Sequence, residues 1–269
     1  MKEKSNNLGI RREIVIINWL GLYTLYIKEV KRFTNVFLQT ITAPMVTTLL
    51  FVTVFSVAID RGAGIEGIPY MTFLIPGLLM MSVLQNAFAN VSSAFMTAKV
   101  TGSIVDLLFA PLGSFEIFIA LNLAGITRGL FVFMASFFLL YVIGIAFFPV
   151  DFVWIIVFLF LGGFALSSIG MITGIWAEKF DQLSIISNFV VQPLAFLSGT
   201  FYSIDRLPEF LKPIAYLNPF FYVIDGFRYG FLGVSDISPY KSLLILLACN
   251  LCLGYCSWYM LKVGYKLKA

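Results

Sequence analysis

Histidine is absent from all 269 residues, and only 12% of the chain carries charge. The first absence excludes serine–histidine and cysteine–histidine nucleophile pairs and a mixed Cys/His zinc site. No G-x-x-x-x-G-K-[ST] loop occurs, so the chain has no phosphate cradle of its own. Neither a zinc-binding helix motif nor a nucleophile elbow is found. These absences argue against an enzyme. The three cysteines, Cys249, Cys252 and Cys256, share one helical face of the last apolar run. Without histidine they read as small packing residues rather than a metal or redox site.

The scarcity of charge is more informative still. A soluble domain carries about 25% charged residues; here 60% of residues are hydrophobic and the mean hydropathy is +0.94. Six charge-free runs stand out: Gln39–Ile59, Gly67–Ala98, Gly129–Val150, Phe152–Ala177, Gln182–Ile204 and Ser242–Leu261. Each approaches or exceeds the roughly 20 residues that cross a bilayer as helix. Barrel strands would alternate over about ten residues, which these runs do not. The reading is an all-α integral membrane protein with six transmembrane helices, at about 36–59, 70–94, 117–148, 153–176, 182–200 and 242–262. Residues 1–35 form a tail and an amphipathic helix; 36–269 form one transmembrane domain. The polar opening MKEKSNNLGI predicts no cleavable leader, so the first span is its own insertion signal.

The net charge of +4 is no nucleic-acid footprint. With both ends on one side, that side holds Lys2, Lys4, Arg11, Arg12, Lys28, Lys31, Arg32, Lys99, Lys179, Lys262, Lys266 and Lys268. The opposite loops hold Arg61, Arg206, Lys212, Arg228 and Lys241, offset by seven acidic residues. The positive-inside rule places both termini in the cytoplasm.

Between Arg12 and Thr34, Ile16, Trp19, Leu20, Tyr23, Tyr26, Ile27 and Val30 recur at helical spacing. Lys28, Lys31 and Arg32 follow near the end. This predicts an amphipathic helix on the inner leaflet. Pro44 predicts a kink in the first span. Asn86, Asn90, Ser92 and Ser93 make half of the second span polar, so they face other helices or a pathway. Lys99, Asp106 and Glu116 keep residues 96–116 out of the membrane. Thr101 or Ser103 caps a short helix there that ends at Pro111 and Gly113. Its apolar residues want a partner. Arg128 snorkels at the inner interface or, if buried, needs a partner such as Glu116; the snorkel is expected. Gly163, Gly170 and Gly174 form a small-residue face for close helix contact. The loop Glu178–Asp181 is a second cytoplasmic contact candidate.

Residues 198–233, SGTFYSIDRLPEFLKPIAYLNPFFYVIDGFRYGFLG, are too broken by proline for a span and too apolar for a solvated loop. Asp205 caps a short helix over Pro208–Tyr216; Asn218-Pro219 opens a second over Phe220–Phe231, stopped at Gly233. Both are expected as short re-entrant or interfacial helices on the outer face. Their rings, with Phe201 and Tyr202, read as an aromatic belt or as a hydrophobic gate.

The ordered set Gly199, Phe201-Tyr202, Asp205, Pro208, Asn218-Pro219, Tyr222, Asp225-Gly226, Arg228 and Gly233 resembles the C-terminal signature of ABC-2 type transport permeases. These are membrane subunits of bacterial ABC exporters, and the match is nearest to short inner-membrane permeases of the drug-export and Nod-factor-export type. The resemblance extends through nearly the whole chain. It implies a permease homodimer in the bacterial inner membrane on two copies of a separate ATPase subunit. ATP and Mg then belong to that partner, and this chain binds no cofactor. It implies that the helix at Val105, Asp106, Leu107, Leu108, Phe109 and Pro111 is a coupling helix seated in the ATPase. The helix bearing Trp19, Tyr23, Lys28 and Lys31 becomes the connecting helix, and the residues quoted first form an outer gate. The implied cargo is a lipophilic drug-like or lipid- or glycan-linked molecule. The rivals are an ion-coupled carrier, a channel and a scaffold. Spans free of Asp and Glu argue against ion coupling.

Overall fold

The computed structural model describes residues 17–58, 64–65 and 67–267. The expectations for Lys2, Lys4, Arg11, Arg12, Ile16, Arg61 and Lys268 lie outside that range, as does the side chain of Asp205.

Helix α1, Trp19–Thr34, is followed by a π turn, Leu38–Thr42, and α2, Ala43–Ala58. Two short paired strands, β1 (Gly64–Ile65) and β2 (Ile68–Pro69), lead into α3, Tyr70–Val100. Then come α4 (Ile104–Phe109), α5 (Ser114–Val142) and α6 (Phe152–Trp176). A helical run follows as α7 (Phe180–Ile186), a π turn (Ser187–Val191) and α8 (Gln192–Phe196). A 3₁₀ turn (Ile204–Arg206), α9 (Lys212–Leu217), α10 (Pro219–Leu232) and α11 (Pro239–Val263) complete the chain. Among the described residues, five helices are long and apolar enough to cross a membrane: Leu38–Ser56, α3, α5, α6 and α11. The expected fifth span, 182–200, is instead the segmented run ending at Phe196.

Both π turns end two residues before a proline, Pro44 or Pro193. Proline lacks an N–H and its ring crowds the carbonyl four residues back. A wider turn just upstream relieves that crowding, and π bulges are a known response inside helices. The expected kink at Pro44 thus takes the form of a bulge one turn earlier.

The core is α3 packed between α5 and α6. The glycine face does what its spacing implied. A Cβ at Gly170 would stand 2.6 Å from the Phe88 carbonyl, and one at Gly174 would stand 3.0 Å from that of Ser92. Only glycine lets α6 approach the α3 backbone so closely. Asn250 Nδ2 donates to the Leu161 carbonyl at 3.1 Å, tying α11 to α6.

Four expectations are corrected. The third span begins at Ser114 and ends at Val142 rather than running to 148, because Gly144 turns the chain with φ +81°. Helix α10 does not lie on a membrane face. It is buried against α6, α11 and α3, with Phe220, Phe221 and Phe227 in the main core. The helix expected from Pro208 forms only at Lys212, after the 3₁₀ turn and a break at Pro208. Cys252 and Cys256 face outward on α11 rather than packing inside.

Candidate functional site: an exposed platform joining α1 and α4

Helix α4 is six residues long, too short to be stable alone. It is held from beneath by Ile104, buried in a second apolar cluster with Leu22, Leu25, Phe95 and Ile117. The opposite face is open: Val105 is 50% exposed, Leu108 42% and Phe109 86%. Asp106 is exposed beside them and Leu107 half-buried. Its carbonyl accepts from Ala110 N at 3.1 Å, which closes the helix before Pro111. The expected side-chain cap is not made. Ser103 occupies the N-cap position without bonding the helix, and its hydroxyl lies 2.9 Å from that of Thr101.

Asn18 joins α4 to α1. Its Oδ1 accepts from Gly21 N at 2.9 Å, capping α1, while Nδ2 donates to the Pro111 carbonyl at 2.9 Å. Its own backbone N–H donates to Glu116 Oε1 at 3.2 Å. One asparagine therefore fixes the start of α1, the end of the α4 loop and the first turn of α5. Gly21 brings the two strands of chain together, since a Cβ there would sit 2.5 Å from Leu112 Cδ2. A groove of about 710 Å³ runs between α1 and α4, lined by Leu20, Thr24, Lys28, Asp106, Leu107 and Pro111 among others. Trp19 and Tyr23 stand exposed at its α1 side.

A second stripe of α1, beside the one expected on the inner leaflet, packs on the bundle. Leu22, Leu25, Glu29 and Phe33 turn inward, and Tyr26 OH meets Thr127 Oγ1 at 2.9 Å. Contacts advance together from Asn18–Glu116 to Tyr26–Thr127 to Phe33–Phe131, so α1 runs along α5. Trp19, Leu20, Tyr23, Lys28 and Lys31 remain on the free face. Two apolar stripes compete on this helix, and the α5 groove takes the Leu22–Phe33 stripe.

Beside the platform, Lys99 Nζ donates to the carbonyls of Ile175 and Ala177, locking the ends of α3 and α6 together. Lys266 Nζ lies 2.8 Å from Glu178 Oε1. That hydrogen bond holds the Glu178 carboxyl below its ordinary range and raises the Lys266 ammonium.

The polar residues of α3 face helices. Asn86 Oδ1 accepts from Arg128 at 3.1 Å, and Asn90 accepts from Arg32. Arg128 therefore points into the bundle. In place of the expected snorkel to water, its guanidinium takes Asn86 on the neighbouring helix as its partner. Glu116 is not its partner, being committed to Asn18.

At the other end of the molecule the signature residues meet in a buried network. Asp225 Oδ1 and Oδ2 accept from Asp236 N at 2.8 Å and Ile237 N at 3.1 Å. Asp236 accepts from Ser203 and Ile204 N. Arg228 donates to the Gly199 carbonyl at 2.6 Å and lies over the Phe73 ring at 3.7 Å. Gly199 has φ +74°, a conformation side-chain-bearing residues avoid. Asn218 caps α10 through Phe220 N at 3.0 Å and reaches the Leu194 carbonyl; Pro219 is the first helical residue and Gly233 the left-handed end. Tyr222 OH donates to the Tyr216 carbonyl. Phe201 stacks against Phe55, Phe51 and Phe196, and Tyr202 is half-buried beside it. Pro208 is exposed in the turn between the 3₁₀ segment and α9, and Asp205 lies within that 3₁₀ segment. Burial pushes the Asp225 carboxyl up to about 6, despite the nearby Arg228 and the two backbone donors. Phe220, Phe221, Tyr222 and Phe227 are core residues, so they offer a passing molecule no surface.

An apolar multi-helix bundle with five helices able to cross a bilayer, among the described residues, defines an integral membrane protein. The family comparison agrees: residues 21–232 match the ABC-2 type transporter family, and the chain belongs to it. It is a multi-pass membrane permease of the ABC transporter class, and membership implies partnership with an ABC ATPase subunit. Among curated proteins it is similar to the inner membrane transport permease YadH of Escherichia coli K12. The two are 35% identical over 255 residues, covering 93% of this chain and 98% of that protein. The proteins of the same name in Escherichia coli O157:H7 and Shigella flexneri match with the same identity and coverage.

Sequence reasoning found α4 and α1 but missed Asn18 and Glu116. An asparagine ahead of a helical run is a cap signal. Its second bond, 93 residues away, leaves no local trace.

Proposed function

We propose that the chain is the permease subunit of an ATP-driven exporter working as a homodimer, each copy seated on one of two ATPase subunits. The observation that carries this is the exposed Val105, Leu108 and Phe109 face of α4, rigidly backed by Ile104 and clamped to α1 by Asn18. Apolar side chains on a cytoplasmic projection are costly unless a partner covers them. Trp19 and Tyr23 widen the same seat. ATP and Mg act on the partner; its closure pushes α4 and α1 and rocks the bundle.

The run Phe180–Phe196 serves as the remaining span, fifth in chain order, and at 1.5 Å per residue reaches about 25 Å. With it, both termini lie in the cytoplasm of a bacterial inner-membrane protein. This run packs loosely on its own bundle, and Ser184, Asn188 and Gln192 on it are exposed. Polar groups at that depth avoid lipid. A second copy facing them would place them along a shared route. The apolar bundle favours a lipophilic or lipid- or glycan-linked cargo.

The test is purification of the tagged chain from detergent-solubilised membranes, with mass spectrometry of bound proteins and an ATPase assay. A stoichiometric partner with a G-x-x-x-x-G-K-[ST] loop and vanadate-sensitive turnover supports the reading. A chain that purifies alone and inactive contradicts it.

A further inference from the structure

Two guanidiniums meet where the α1, α3 and α5 helices converge. Arg128 binds Asn86 and Arg32 binds Asn90, and these asparagines stand one turn apart on one face of α3. Arg32 also donates to Glu29 at 2.7 Å and to Ser93 at 3.2 Å. Glu29 is thereby used, and among the described residues no carboxylate pairs with Arg128. Two buried donors here have no partner, Arg128 Nε and Asn90 Nδ2, and Asn90 is wholly buried. Those two donors are enclosed behind Arg32, and with Glu29 committed to Arg32 the pair of guanidiniums keeps an uncompensated positive charge, the complement of an anion reaching Arg32.

The depth and the approach narrow the anion. Counted from Tyr70 at the outer end of α3, Asn86 and Asn90 lie about 24 and 30 Å down the helix. The hydrocarbon layer is about 30 Å thick, which sets Asn90 and the Arg32 group bound to it at the inner edge of that layer, next to the glycerol and phosphate level, and Asn86 one turn inside it. A groove of about 600 Å³ along α1 opens there, lined by Thr24, Lys28, Lys31, Arg32 and Asn35. Arg32 belongs to both places: its edge lines the groove and its NH2 group bonds Asn90. Lys28 and Lys31 are exposed and flank the entrance.

We propose that Arg32, Lys28 and Lys31, backed by Arg128, bind the phosphate of an anionic phospholipid of the cytoplasmic leaflet. The lipid headgroup lies in the α1 groove, with its phosphate against Arg32. The site depth rests on the cytoplasmic N-terminus proposed above, whereas the binding does not depend on an ATPase. Thr24 and Lys28 line both this groove and the α1–α4 groove, so the lipid occupies the far wall of the docking platform.

The experiment is native mass spectrometry of the full-length permease in detergent, titrated with phosphatidylglycerol or phosphatidylcholine of matched chains. Each cation near the phosphate is worth about fivefold in binding. The expected result is a preference for phosphatidylglycerol of about 25-fold or more, reduced about 25-fold by the exposed double change Lys28→Gln/Lys31→Gln. Arg128→Gln reduces it less, and Lys241→Gln, on the opposite side, leaves it intact. Equal binding of the two lipids, or a preference untouched by the double change, overturns the site. Displacement of phosphatidylglycerol by millimolar inorganic phosphate assigns it to a soluble anion and overturns the lipid. The readout needs no nucleotide, so failure here and failure of the ATPase partnership are separate results.

Discussion

The two ends of this molecule are built on opposite plans. The block of residues 198–237 is rich in motif and buries its polar groups: Asp225 is 0% exposed, and Arg228, Asn218 and Ser203 are also buried. The α1–α4 platform has almost no motif and leaves apolar groups in the open, above all Phe109. The signature residues therefore hold loops to a helix, whereas the plain six-residue helix offers the open surface that the proposed docking uses. Recognisable sequence marks the harder folding problem, since each buried donor or charge must find its partner. A docking surface needs only apolar area on a firm base.

The sharpest way to break the comparison is at Asp225. Asp225→Ala strands two buried backbone N–H groups and removes the charge facing Arg228. The expected loss is about 2–4 kcal/mol of stability, read as a lowered unfolding temperature and reduced protein in membranes. The platform should respond in the opposite manner. Leu108→Glu/Phe109→Glu should cut co-purified ATPase by about tenfold or more. Its unfolding temperature should stay within about 2 °C, because these side chains are exposed. If the double change unfolds the protein while Asp225→Ala does not, the assignment of roles is reversed.

Asn18→Ala sits between these extremes. It removes a helix cap worth about 1 kcal/mol and releases the α4 loop from α1. ATPase turnover of the complex should fall while association persists, a coupling defect rather than a docking defect. The smallest effect is one of pH. The Asp225 carboxyl titrates at about 6 in the folded protein against an ordinary 3.8. The fold holds that proton more tightly than the unfolded chain does, so its contribution is full below the lower value and is lost as pH rises through the upper. Wild-type unfolding temperature should drop by a few degrees across that window, and Asp225→Asn should flatten this part of the profile.

Much of this was legible in the sequence, for physical reasons that also mark where legibility ends. Charge-free runs report spans directly, and α3, α6 and α11 lie close to where those runs are. Pro111 and Gly113 end α4 as their backbone constraints require, and Asn218-Pro219 and Gly233 bound α10. The exposed face of α4 was legible too, since apolar residues beside Lys99 and Glu116 could not enter the bilayer. What failed was direction. The Trp19 and Tyr23 stripe of α1 stays outward, but its inward stripe, Leu22, Leu25 and Phe33, was not picked out, because only packing on α5 distinguishes it. Arg128 was placed at an interface because a buried arginine looks expensive, but Asn86 on α3 supplies an acceptor that no local pattern reveals. Helix α10 was expected at a surface because proline breaks its approach, yet its rings complete the core beside α3 and α6.

The most direct test of the central claim is site-specific photocross-linking in native membranes, with a benzophenone amino acid replacing Phe109 in one strain and Tyr240 in another. Helix α4 as the docking element predicts a cross-link from position 109 to a separate chain that carries a phosphate-binding loop, and none from position 240. A cross-link from 240 to that chain, with position 109 silent, would contradict it.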